Sequence, residues 1–157
     1  MTYVFDTNSI SNILSHYYPE RFPTFWEKFY GFIQAEEIIS VREAKFELAT
    51  RFEADVLTLL TNFNSSFFRE PTTAELTFVR EIYAVRHFQQ NLERKKLLAG
   101  GSFADPFIIA KASVLNGTVI TEEEYRDNAV KIPNICNHFQ IPWTNLEGFL
   151  TQEDWKF

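Results

Sequence analysis

Short apolar runs alternate with helical patterns along this chain, and that alternation is what most restricts its fold. The runs lie at residues 3–6 (YVFD), 37–40 (EIIS), 118–121 (TVIT) and 141–145 (IPWTN), and each precedes apolar residues at helical spacing. Buried strands that are separated by helices pair in parallel, and the helices then cover both faces of the sheet. The sequence therefore predicts an α/β fold around a central parallel sheet.

Helix boundaries are indicated by capping residues. Two S/T-x-x-E capping boxes, at residues 40–43 and 72–75, predict one helix that runs to about Asn62 and a second that runs towards Leu98. The other boundaries are a polar loop at 64–71, an amphipathic aromatic helix after Pro23, and helix stops at Gly100-Gly101 and Asn116-Gly117.

Size, cysteine content and charge restrict the class of protein. A chain of 157 residues with 45% hydrophobic content suits a single domain, here 1–157, without a linker or repeat. The single cysteine, Cys136, allows no internal disulfide, and we see no leader or long apolar run, so we expect a cytoplasmic protein with no membrane association. A net charge of −6 argues against non-specific binding of nucleic acid through a basic surface.

Acidic residues recur where the predicted strands end. Ligands of open parallel sheets bind outside the carboxyl ends of the strands, where strand order reverses. Carboxylates gathered at that edge would repel one another unless a cation neutralised them, and oxygen ligands without clustered His or Cys favour Mg²⁺ or Mn²⁺. The candidates are Asp6, Glu43, Glu47, Asp105 and one of Glu122, Glu123 and Glu124, among which the sequence does not choose.

Each acid also has a purely structural interpretation. Asp6 could cap the first helix, and Asp105 could cap the helix that it opens. Glu43 is explained by its capping box, and Glu47 by an i,i+4 pair with Arg51. Glu47 would also lie roughly 130° from its helix's apolar stripe, at about 100° per residue, which predicts a solvated side chain. The basic run 94–96 suits a helix C-terminus, with phosphate contact as the alternative.

Four segments together resemble the PIN-domain superfamily, and within it a prokaryotic PIN-like branch catalogued as a domain of unknown function. They are YVFDTNSI, IISVREAKFEL, ADPFIIAKASVLNGTVITEEE and KIPNICNHFQIPW, and they cover nearly the whole chain. The resemblance implies a three-layer α/β/α sandwich with a central parallel sheet and metal-dependent cleavage of RNA by clustered acids. The stretch 63–101 exceeds a minimal PIN toxin and is expected to be a helical elaboration.

The resemblance also implies roles for individual residues. It implies a Mg²⁺- or Mn²⁺-dependent endoribonuclease. The residues implied for both catalysis and metal binding are Asp6, Glu47, Asp105 and Glu123, and those implied as supporting residues are Asn8 and Thr121. Glu123 stands where the family more often has aspartate. Many small members are toxins held by an antitoxin protein, and a homodimer is plausible. The rival interpretation is a catalytically silent PIN-like module that binds a protein partner through the aromatic segment 22–32.

Overall fold

A central parallel sheet organises the protein. The computed structural model describes residues 1–98 and 103–157. Its strands are β1 (Tyr3–Phe5), β2 (Ile38–Val41), β3 (Phe68–Arg69), β4 (Thr118–Ile120) and β5 (Trp143–Thr144). They run in the order β3-β2-β1-β4-β5, and every neighbouring pair is parallel. The predicted α/β fold with a central parallel sheet is confirmed.

Helices lie on both sides of this sheet, which gives the three-layer α/β/α sandwich. In the described part of the chain they are α1 (Thr7–His16), α2 (Pro23–Gln34), α3 (Arg42–Leu48), α4 (Ala54–Thr61), α5 (Thr73–Ala84), α6 (Arg86–Leu98), α7 (Asp105–Leu115), α8 (Ile132–His138) and α9 (Leu146–Gln152). Within these residues, no helix has the length and apolar character needed to cross a bilayer.

Strand alternation divides the core into two clusters. Tyr3 and Phe5 of β1 point into one cluster, which includes the aromatic residues of α2, while Val4 points into the other, beside α7 and α8. Both faces of β1 are fully covered, and its side chains are apolar except for the Tyr3 hydroxyl, which donates to Glu153. The first polar residue after β1 is Asp6, at the carboxyl edge of the sheet.

The first predicted capping box is wrong. Ser40 is the third residue of β2, and its hydroxyl donates to the Phe5 carbonyl at 2.7 Å. The helix that follows begins after Val41 without a side-chain cap, and it ends at Leu48 instead of continuing to residue 62. The Leu48 carbonyl accepts hydrogen bonds from the N–H groups of both Arg51 and Phe52, which turns the chain before α4.

The second capping box is confirmed in part. Thr72 caps the helix, but the Glu75 carboxylate accepts from the Thr72 hydroxyl instead of the Thr72 backbone N–H, and the helix is shorter than predicted. Thr72 caps α5 by accepting from the Glu75 N–H at 3.2 Å. Val85 is extended and separates α5 from α6, so one predicted helix is two. The predicted loop at 64–71 contains β3, so the elaboration 63–101 also adds a strand to the sheet. The predicted stop at Gly100-Gly101 lies outside the described residues.

The predicted end of α7 at Asn116-Gly117 is confirmed. Asn116 caps α7 in the left-handed conformation, with φ of 52°. A Cβ atom on Gly117 would lie 2.6 Å from the backbone oxygen of Thr2, so glycine allows β4 to begin directly beside the N-terminal segment.

Candidate metal centre at the strand ends

The sheet reverses its strand order between β1 and β4, and the candidate site lies at the carboxyl ends of these two strands. From β1 the chain continues to β2 and β3 on one side, and it returns to β4 and β5 on the other. In open α/β sheets this is the position of the ligand crevice. Asp6 follows β1, and Thr121 follows β4.

Asp6 both caps a helix and links two strand ends. One carboxylate oxygen, Oδ1, accepts from the Ser9 N–H at 2.8 Å, which makes Asp6 the N-cap of α1. The other oxygen, Oδ2, accepts from the Thr121 hydroxyl at 2.6 Å. The residue is 3% exposed. The capping interpretation is therefore correct, but it accounts for only one of the two oxygens.

Glu47 is directed towards the strand ends and not towards solvent. Its Oε1 accepts from the Thr7 hydroxyl, and its Oε2 accepts from the Ala104 N–H at 3.3 Å. The predicted pair with Arg51 does not form, because α3 has already ended and Arg51 donates to the Asn8 side-chain oxygen at 3.2 Å. Glu47 therefore contacts the segments after β1 and before α7, which brings the second predicted acid to the site.

Asp105 is the first residue of α7 and does not cap it. Ala104 precedes the helix in a helical conformation and offers no side-chain cap, so the capping interpretation of Asp105 is wrong. Its carboxylate lies 3.7 Å from the ammonium of Lys95, which also donates to the Val130 carbonyl at 2.6 Å. The basic run of α6 therefore places one cation beside the third predicted acid.

Only one of the three consecutive glutamates after β4 acts on the other site acids. The Glu123 N–H donates to the Thr121 hydroxyl oxygen at 3.1 Å, and its Oε2 accepts from the Ile132 N–H at 2.7 Å. Glu122 instead accepts from the first N–H of α9, that of Leu146, at 2.8 Å. Glu124 is exposed.

The electrostatics show that neighbouring acids act on two of the four predicted acids, Asp6 and Asp105. Burial raises the pKa of Asp6 to about 6, the hydrogen bonds from Thr121 and Ser9 oppose that rise, and the charge of Glu123 adds to it. Burial also raises the pKa of Asp105 to about 8, and the charges of Glu123, Asp6 and Glu47 add to the rise while Lys95 opposes it. The structure thus places all four predicted acids in one electrostatic cluster.

The donor chemistry of this cluster fits a hard divalent cation. Its carboxylates supply oxygen ligands, and a cation among them would relieve the repulsion that raises the two pKa values. Within residues 1–98 and 103–157, however, no three His, Cys, Asp or Glu side chains already converge as ligands. Glu47 and Glu123 each accept from a backbone N–H group, those of Ala104 and Ile132, and a carboxylate that accepts one such bond keeps lone pairs for a cation.

A polar cleft opens beside the acids. It encloses about 590 Å³ and is lined by Asn8, residues 122–126 and Lys131. Asn8 is exposed there. Sequence reasoning missed Arg126 and Lys131, the two cations of the cleft, because no local pattern marks them. The role of Ser9 as the N–H donor to Asp6 was also missed, although a position three residues after an aspartate is the spacing of a helix cap.

Comparison with protein families matches residues 3–157 to the family described as a domain of unknown function, DUF4411. The comparisons with curated proteins and with solved structures gave no match.

Proposed function

The chain belongs to the DUF4411 family, and we propose that it is a Mg²⁺- or Mn²⁺-dependent endoribonuclease. One observation carries the proposal: at the switch point of a parallel sheet, burial and the charges of acids from other segments raise the pKa values of Asp6 and Asp105. Clustered carboxylates whose pKa values are raised by burial and by each other are typical of functional sites. A metal-dependent hydrolase needs such a cluster to hold its cation.

The residues divide into ligands and supporting groups. Asp6 and Asp105 would hold the metal, and Glu47 and Glu123 would complete the set. When bound, the metal would lower the pKa of a water molecule and stabilise the leaving oxygen of a phosphodiester. Thr121 orients Asp6 through its hydrogen bond. The supporting Asn8 lines the cleft through which a substrate would approach.

Lys95, Arg126 and Lys131 supply positive charge beside the acids. Such local cations offer phosphate contacts to a chain whose net charge is −6. RNA as the substrate, a toxin role with an antitoxin partner, and a homodimer all rest on the resemblance to PIN domains. A cytoplasmic location is part of the same proposal and is supported by the single cysteine, Cys136, which is buried and free.

A catalytically silent interaction module is the second candidate. In the described part of the chain no three acidic, histidine or cysteine side chains converge as metal ligands, and this favours the second candidate. The aromatic segment 22–32 was the surface expected to bind its partner, but Phe25, Trp26 and Phe29 of that segment are buried in the core. Phe22, at the start of that segment, is 41% exposed and remains available.

Metal binding tests the proposal. Mn²⁺ would be titrated by calorimetry into the wild type, into Asp6→Asn, and into Asp55→Asn, a control that neutralises an exposed acid on α4. We expect binding in the wild type and in the control, and its loss in Asp6→Asn. The same proteins would then be incubated with a fluorescent RNA, with and without EDTA. The silent module predicts neither Mn²⁺ binding nor cleavage in any of the three.

A further inference from the structure

A second cavity lies beside the acid cluster, and the proposed chemistry does not use it. It encloses about 410 Å³ between α3, α5, α6 and the start of α7. Its aromatic walls are Phe46, Tyr83, Phe103 and Phe107. Phe103 and Phe107 each lie two residues from Asp105 in the sequence, so the cavity adjoins the site where a phosphate would be cleaved. Its volume and its mainly apolar walls are those of a small-ligand pocket.

A buried carboxylate with an unused oxygen belongs to this cavity. Glu43 lines it and is 7% exposed. Its Oε2 accepts two hydrogen bonds from Arg42, at 3.0 and 2.8 Å, while Oε1 is covered and has no partner in the described part of the chain. A buried polar atom without a partner is unfavourable, so its presence calls for an additional donor. Because Glu43 lines the cavity, an occupant with an N–H group can supply that donor.

The charges around the cavity favour a neutral occupant. Arg42 already neutralises Glu43, and the remaining charged wall residues are Glu93 and Lys96, of opposite sign. The lining itself therefore carries no net charge, although burial and then the charges of Glu93 and Asp105 raise the pKa of Tyr83 in its wall. A flat aromatic ring with an N–H group satisfies both features, since it stacks on the aromatic walls and donates to Glu43.

We propose, on the basis of the proposed nuclease function, that this cavity binds one nucleobase of the RNA next to the cleaved phosphate. The base stacks against Phe46 and Tyr83, and one of its N–H groups donates to Oε1 of Glu43. Lys96 lies at the cavity wall, where it can contact the backbone phosphate. Stacking on aromatic side chains together with a hydrogen bond to a base edge is how proteins select single-stranded RNA bases. The pocket therefore gives the enzyme a base preference at one position.

The test uses nucleoside 5′-monophosphates without metal. The four monophosphates, AMP, GMP, CMP and UMP, would be titrated in EDTA into the full chain, and binding would be followed by NMR shifts of the aromatic side chains. We expect at least one to bind with a millimolar or tighter Kd. Phe46→Ala and Glu43→Gln should each weaken monophosphate binding roughly tenfold. Phe22→Ala removes a similarly exposed phenylalanine that does not line the cavity, and it should leave the Kd unchanged. Phe46 is 49% exposed, so its removal should leave the fold intact.

Three outcomes would overturn the inference: no monophosphate binds, both cavity variants bind as the wild type does, or N-acetylarginine amide binds more tightly than every monophosphate. The last outcome would assign the cavity to a cationic side chain of a protein partner. Because EDTA removes the metal, base binding is measured independently of catalysis. RNA cleavage without base binding would overturn this inference and leave the nuclease proposal standing. Base binding without Mn²⁺ binding would overturn the nuclease proposal, and it would leave a base-binding pocket that does not lie next to a cleaved phosphate.

Discussion

Replacing Asp6 with asparagine should make the metal-free protein more stable at alkaline pH. The carboxylate is buried between two strand ends, and its pKa rises from an ordinary value of 3.8 to about 6. Between these two pH values the folded state binds more protons than the unfolded state, so wild-type stability falls as pH rises through this window. Above it the folded protein carries the full cost of an ionised, buried acid. Asparagine removes that charge at nearly the same size.

The expected size of the effect follows from the shift in pKa. A rise of about 2 units corresponds to about 3 kcal/mol of folding free energy at pH 8, at 1.36 kcal/mol per unit. Asparagine is an equally good N-cap and keeps the bond from Ser9, but it changes the bond to Thr121, at a cost of about 1 kcal/mol. We therefore expect Asp6→Asn to gain about 2 kcal/mol at pH 8 and to lose that advantage near pH 4.

Urea unfolding measured from pH 4 to pH 8 in EDTA would test this. Asp55→Asn makes the same change of charge at an exposed position and should alter stability by no more than about 0.5 kcal/mol at any pH. The reasoning would be refuted if Asp6→Asn were no more stable than the wild type at pH 8, or if its advantage did not depend on pH.

Three further changes test other parts of the structure. Glu75→Gln should destabilise the protein by about 3–5 kcal/mol in urea unfolding, because Lys111, which lies 2.7 Å from Glu75, would stay buried without its partner charge. A Glu75→Leu/Lys111→Met double variant should recover most of that loss, and failure to recover it would contradict this account. Lys95→Ala should raise the pKa of Asp105 further above its ordinary value, since Lys95 now opposes the rise; a downward shift in a ¹³C carboxyl titration in EDTA would refute this. Gly117→Ala should lower the thermal midpoint by several degrees, because the new Cβ would meet a backbone oxygen at 2.6 Å; an unchanged midpoint would show that the contact relaxes freely.

The fold was largely predictable from the sequence because its strands are short, apolar and bounded by polar residues. β3 was missed because it has only two residues, Phe68–Arg69, and it is defined by pairing with β2 at residues far away in the chain. The break after α3 was missed for a different reason. Leu48 and Phe52 continue the helical period across it, and periodicity alone does not detect a turn made by backbone hydrogen bonds.

The positions of the site acids could be predicted better than their orientations. Asp6 follows directly from the end of β1, because a carboxylate there has to lie at the sheet edge. The direction of Glu47 depends on Thr7 and Ala104, which come from distant segments, and helical periodicity predicted the opposite. The choice of Glu123 over its neighbours likewise depends on tertiary contacts, since Glu122 is occupied at the start of α9.

The two hydrogen bonds to Asp6 have a consequence for how the acids could receive a ligand. With both oxygens held, Asp6 has lost its rotational freedom on folding, so it is preorganised and little further entropy would be lost when it binds a cation. Asp105 has a looser restraint, an ion pair with Lys95 at 3.7 Å. A ligand would therefore be fixed first by Asp6, whose orientation is already set before any cation arrives.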